Sequence, residues 1–255
     1  MRIAVCVKQV PAREWQPRLD EAAGTWIREQ DASFQMNESD GYALEAALRL
    51  RETHGGEVLV CSAGPARVVQ VLREALARGA DRAIHVEHDR LAAADAFVVA
   101  AALADALRSE GVDLVLTGLQ SDDHGSAQTG VVLAERLGLP HATIVTEIHV
   151  AADGLRVKRE LEGGWFQWVN LPLPALLAMQ TGIDQLRYAT LRGIMAAKRK
   201  EIRKVTPAAV DHPRQRILAL NVPVKTRQTQ MLSGSPVAAA KELVRRLREH
   251  ALVTS

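Results

Sequence analysis

The sequence predicts an α/β fold built on a mainly parallel sheet, and three observations carry that expectation. Strand-like and helix-like segments alternate four or five times across residues 1–150. The runs VLV (58–60) and LVL (114–116) are apolar at consecutive positions, as strands covered on both faces must be. The connections are short and carry glycine where helices should stop.

The elements follow in order. Residues 2–10 read as a first strand, and residues 11–36 as a loop excursion without a clear period. In NESDGYALEAALRLRETHGG (37–56), Asn37 or Ser39 is placed to cap a helix and Gly55-Gly56 to stop it. Leu44, Ala47, Leu48 and Leu50 keep helical spacing. EVLVCSAG (57–64) is a second strand. GPARVVQVLREALARGADRAIHV then gives a helix, Gly79 and a third strand at 83–86. A helix over 92–109, a strand at 112–118, a helix from near Ser126 and a strand at 142–150 complete the alternation.

Beyond residue 150 the texture changes. GLRVKRELEGGWFQWVNLPLPALLAM reads as two or three antiparallel strands around Gly163-Gly164. Residues 205–235 read as an extended tail and 237–252 as a final helix. The expected organisation is one α/β domain over 1–204, including a loop at about 182–200, and a C-terminal arm over 205–255.

Composition narrows the function classes. The chain has 255 residues, 47% of them hydrophobic, enough for one large core. A net charge of +2 argues against a nucleic-acid module. Cys6 and Cys61 form neither a disulfide framework nor a zinc pattern, and point to a reducing, cytoplasmic setting. The Ala-rich stretch around residue 100 is interrupted by Asp95 and Asp105, so no membrane span is expected.

Three segments are candidate sites. TGLQSDDHGSAQTG (117–130) lies where a strand should end and a helix begin, the position at which parallel α/β sheets bind ligands. Ser126, Gln128, Thr129 and the amide of Gly130 are placed to cradle a phosphate, with Gln120 and Asp123 nearby. It is not a Walker motif, and a polar loop with a helix cap remains the plain alternative. VCSAGP (60–65) offers a small-residue turn, and Asp40 in NESDGYALE offers an acceptor for a ribose or base, against a role in helix capping. Asp122, Asp123 and His124 are adjacent and point apart, which argues against a metal site. The basic run KRKEIRK (198–204) reads as solvated surface.

These residues together resemble the β subunit of electron transfer flavoproteins. The resemblance runs almost end to end, through VCVKQVP, NESDGYALEAALRLRE, VCSAGP, VDLVLTGLQSDDHGSAQTG, RELEGGWFQ and GIDQLRYATLRGIMAAKRK. It implies a Rossmann-like nucleotide-binding domain. It also implies an electron carrier without catalysis of its own, paired with an α subunit that holds most of an FAD. Electrons would come from a flavin-dependent dehydrogenase and leave to an acceptor such as a quinone oxidoreductase. The resemblance further implies a buried AMP at Cys6, Asn37, Glu38, Ser39, Asp40, Ala63, Gly118, Gln120, Asp123, Ser126, Gln128, Thr129 and Gly130. In an electron-bifurcating subset a second FAD takes that place. Leu191 matches a leucine inserted into the partner dehydrogenase, with Arg187 and Tyr188 fixing its loop. Arg13 or Trp15 would face the flavin. The chain departs from the common pattern at Asn37-Glu38-Ser39, at Leu186 and in SDDHGSA, which leaves the electron donor open. An ATP- or AMP-handling stress-type protein is the alternative of a different class.

Overall fold

The computed structural model describes residues 1–15, 32–88, 90–91, 94–182, 184–207, 212–218 and 229–249. The chain divides into two compact units, Met1–Leu218 and Ala219–Ser255. Most of the loop excursion, at 16–31, and the last residues of the expected final helix lie outside the described residues.

In the first unit the elements run β1 (Arg2–Cys6), β2 (Gln9–Pro11), β3 (Phe34–Met36), α1 (Glu38–His54), β4 (Glu57–Ala63), α2 (Val69–Arg78) and β5 (Arg82–Val86). They continue with α3 (Ala96–Leu107), β6 (Leu114–Gly118), α4 (Thr129–Leu137), β7 (His141–Ala151), β8 (Gly154–Glu160) and β9 (Phe166–Leu171). The last three are β10 (Ala175–Met179), α5 (Leu191–Ala197) and β11 (Ile202–Val205). A nine-stranded sheet has the order β11-β5-β4-β1-β6-β10-β7-β8-β9, parallel up to β7 and antiparallel from β7 to β9.

Alternate residues of the strands feed two cores. Ile3, Val5, Val58 and Val60 pack under α1 and α2, while Ala4, Leu59 and Val115 pack under α3 and α4. Both faces of the parallel strands are therefore covered, which explains their unbroken apolar runs. The chain travels from β1 outward through β4 and β5, then returns to place β6 on the other side of β1. That reversal opens a crevice at the carboxyl ends of β1 and β6.

Several expectations need correction. The first strand splits, because Val7 N donates to Cys61 O but Lys8 N turns to the Asp40 carboxylate, 2.7 Å away. The chain then enters the separate pair β2–β3, so the excursion before residue 37 contains a strand. PALLAM is not part of the antiparallel extension: β10 is parallel and lies between β6 and β7, all five of its residues buried. The start of the helix near Ser126 moves to Thr129. The run KRKEIRK is also more than solvated surface. Its end forms β11 on the β5 edge, where Arg203 pairs with Glu110 and Lys204 with Glu87. Lys200 donates to the carbonyls of Leu76 and Ala80 at the end of α2.

In the second unit α6 (Pro236–Glu249) carries paired charges, Glu242 with Arg245 and Arg246 at 2.7 Å each, and exposed Val237, Leu243 and Val244.

The segment after β10 is held at close quarters. Arg73 donates to Ala197 O and Lys200 O, both at 2.6 Å, and α5 lies on α2 so tightly that a Cβ on Gly193 would come 2.2 Å from Ala77 O. Gly193→Ala is therefore expected to push α5 off α2 and lower stability by about 1–3 kcal/mol, measured by urea unfolding.

Candidate functional site

The crevice is a cleft of about 260 Å³ at the switch point between β1 and β6. Its main walls are Cys6–Gln9 at the end of β1, Ala63–Val68 at the end of β4, the start of α1, the start of α3, and the loop from Thr117 to Gly130. Cys6, Asn37, Asp40, Ala63, Gly118, Gln120, Asp123, Ser126, Gln128, Thr129 and Gly130 all line it. Glu38 and Ser39 do not. Glu38 turns away to pair with Arg13, and Ser39 is buried behind the wall.

The first turn of α1 does something that capping logic misses. Asn37 makes no side-chain cap on the α1 backbone; beyond its bond to Ser39 Oγ (2.9 Å), it reaches with Ser39 and Asp40 to segments beyond α1. Asn37 Nδ2 and Ser39 Oγ donate to Gln120 O at 2.9 and 2.6 Å, and Asp122 N donates to Asn37 Oδ1 at 2.9 Å. Asp40 accepts from Lys8 N through one oxygen (2.7 Å) and from Gly118 N through the other (3.0 Å). Gly118 is required there: a Cβ would sit 2.4 Å from both Asp40 Oδ1 and Ser39 Oγ. Burial pushes the Asp40 carboxyl from 3.8 up to about 7, against the pull of the hydrogen bonds from Lys8, Asn37 and Gly118.

Lys8 closes the loop from the other side. Its ammonium lies 2.6 Å from Asp123 Oδ1 and donates to Ser121 Oγ at 3.2 Å. Burial raises the Asp123 carboxyl, but Lys8 outweighs it and holds the group below its ordinary value. Asp123 is thus a latch for its own loop. Burial and Lys8 also hold the neighbouring His124 imidazole below its ordinary value. Among the described residues no cluster of His, Cys, Asp and Glu could hold a metal.

Two polar atoms remain without partners inside this network, Thr117 Oγ1 and Gln128 Oε1. Thr117 is 5% exposed and both residues line the cleft. Thr117 Oγ1 sits against the opening of α4, where a Cβ on Gly130 would approach it to 2.7 Å. Free amides at a helix start, an unpartnered hydroxyl and an unpartnered amide oxygen suit a small polar ligand carrying both acceptors and donors. Lys8 and Thr117 were missed by sequence reasoning. The available signals were a charge directly after a buried strand and a polar residue inside LVLTG. Cys6 lines the cleft and lies in register beside the buried Cys61 of β4, and burial raises both thiols, Cys61 to about 12.

The other predicted residues form a second region. Arg187 is pinned. Its backbone N donates to Glu45 Oε2 (3.1 Å), and its guanidinium spans Glu45 (2.9 Å) and Glu52. Tyr188 does not share that role and is 84% exposed. Leu191 opens α5 at 78% exposure, with Thr190 Oγ1 capping the turn by accepting from Gly193 N at 3.0 Å.

Residues 24–210 match the family described as electron transfer flavoprotein domain. The chain is 36% identical to an electron transfer flavoprotein subunit beta of Methylophilus methylotrophus, over 98% of each chain. It is 35% identical to the mitochondrial subunit beta of Oryza sativa subsp. japonica, over 99% of this chain and all of the other. It is 38% identical to subunit CarD of a caffeyl-CoA reductase-Etf complex of Acetobacterium woodii, over 79% of this chain and 77% of that one.

Two outcomes test the site. Gly118→Ala should wedge the α1 start away from the loop, costing about 1–3 kcal/mol in urea unfolding. The Asp40 carboxyl titrates higher folded than unfolded, so its contribution is full below about pH 4 and is lost as pH rises through about 7. Wild-type urea midpoints should therefore fall between about pH 4 and 7, and Asp40→Asn should flatten that slope.

Proposed function

The chain belongs to the electron transfer flavoprotein family as a β subunit, and from that premise we propose how its two regions divide the work. A β subunit is an electron carrier that works with a partner subunit through FAD. In our reading an α subunit holds most of that FAD, a flavin-dependent dehydrogenase supplies the electrons, and an acceptor such as a quinone oxidoreductase removes them. The cleft at β1 and β6 holds one AMP. The arm over 205–255 docks on the α subunit, and its exposed apolar residues on α6 support this. Among the described residues no helix is long and apolar enough to cross a membrane. Two free thiols support a cytoplasmic setting.

The observation that carries the nucleotide reading is the pair of unpartnered polar atoms, Thr117 Oγ1 and Gln128 Oε1, beside the start of α4. A hydroxyl and the helix amides suit a phosphate, and an amide oxygen suits a ribose hydroxyl or an amine. The cleft, about 260 Å³, is of the order of a small-ligand site. AMP supplies no redox chemistry when bound. What this chain's residues do is seat it: Lys8 and Asp123 latch the loop, Asn37 and Ser39 hold Gln120, and Asp40 fixes Gly118. The bound nucleotide then stabilises the folded subunit by linkage.

Leu191 is the docking residue for the dehydrogenase in this reading. It is exposed, sits on a capped turn, and stands four residues from the Arg187 clamp. One leucine buried in a partner pocket gives roughly 1.5–3 kcal/mol, a grip suited to a transient complex.

Co-expression with the α subunit, followed by chromatography of the extracted nucleotides, tests the cofactor reading. One AMP and one FAD per heterodimer are expected; two FAD and no AMP would replace it with the bifurcating type. Leu191→Ala should leave the flavin content unchanged and slow reduction by the cognate dehydrogenase at least about tenfold. Equal rates would remove the anchor.

A further inference from the structure

The cleft and the docking loop are tied to one helix. At its N-terminal end, Asn37, Ser39 and Asp40 hold the loop that walls the cleft. One residue further on, the segment after β10 begins to lean on α1: a Cβ on Gly41 would meet Leu186 Cδ2 at 3.2 Å. One turn beyond, Glu45 is 2% exposed and takes both the amide and the guanidinium of Arg187. Burial alone would raise the Glu45 carboxyl, yet Arg187 and Arg49 hold it below its ordinary value. Arg49 pairs with Asp184 at 2.7 Å, and Glu52 closes the other side of Arg187.

The separation is short. Asp40 and Glu45 are five residues apart, about 7–8 Å along a helix axis. Between Ser39 and Leu48 every residue of α1 except Tyr42 is buried. A helix packed that closely shifts as a unit, because interiors at this density do not deform locally without cost. Anything that fixes its first turn also fixes the carboxylates that receive Arg187.

We propose that α1 couples the two sites, so that a nucleotide bound in the cleft tightens the hold on residues 184–197 and thereby favours docking of the dehydrogenase. The proposal rests on the reading that the cleft takes AMP. It gives the ligand a regulatory role in addition to a structural one. Coupling of this kind is reciprocal, so loosening Arg187 should weaken AMP binding by the factor through which AMP steadies the loop.

The test is amide hydrogen exchange on the αβ heterodimer, stripped of AMP and then saturated with it. In the wild type AMP should slow exchange in residues 118–130 and, about fivefold or more, in residues 186–197. In Glu45→Gln the protection at 118–130 should remain and that at 186–197 should be lost. Arg187→Ala, which leaves the buried part of α1 intact, serves as the second variant and should weaken the AMP Kd measured by calorimetry at least about fivefold. Protection confined to 118–130 in the wild type would overturn the coupling while leaving the cleft assignment standing. Equal protection of 186–197 in both variants would overturn α1 as the route. Absence of AMP binding to the stripped heterodimer would remove the cleft reading, and the coupling with it.

Discussion

The structure depends on one carboxylate. Asp40 reaches from α1 to the ends of two adjacent strands and accepts one amide from each exit, Lys8 after β1 and Gly118 at the end of β6. A parallel sheet whose strand order reverses between β1 and β6 must splay its loops there, and splayed loops leave backbone donors unpaired. Asp40 satisfies two of them while buried, and its raised proton affinity is the cost of that placement. Gly118 is the complement: only a residue without a side chain allows the carboxylate to approach so closely.

Around that point the cleft is assembled from contacts between segments distant in the chain. Lys8 meets Asp123 and Ser121, while Asn37 and Ser39 meet Gln120. Most polar groups of the loop are thereby committed, which leaves Thr117 Oγ1 and Gln128 Oε1 buried without partners. A site built this way is pre-organised: its walls are in place before a ligand arrives, so binding orders little further chain.

Local patterns made the parallel core legible in the sequence. VLV and LVL announced buried strands, and the helix beginning near residue 38 followed from its caps and spacing. The list of cleft residues was legible through family resemblance, and the fold brings most of it to one place. What the sequence hid were relations across space. PALLAM carries the signature of a buried strand, but whether it pairs parallel or antiparallel depends on where the chain returns. Asn37 and Ser39 looked like helix caps because capping is the local use of such side chains. Their actual partner, Gln120, is about eighty residues away. Lys200 looked like surface charge, and only the end of α2 beside it reveals its carbonyl partners.

The segment that carries Leu191 is fastened at both ends. Arg187 is locked into two carboxylates before it, and β11 is hydrogen-bonded into the sheet edge after it. A free loop of this length would sample many conformations and surrender them on binding, at roughly 1–2 kcal/mol per residue fixed. Here most of that ordering is complete when the subunit folds. In the proposed docking, the exposed leucine would therefore meet a partner with little conformational entropy left to lose. Its grip would be set by the area it buries, and slackening either fastening would weaken that docking without touching a single interfacial atom.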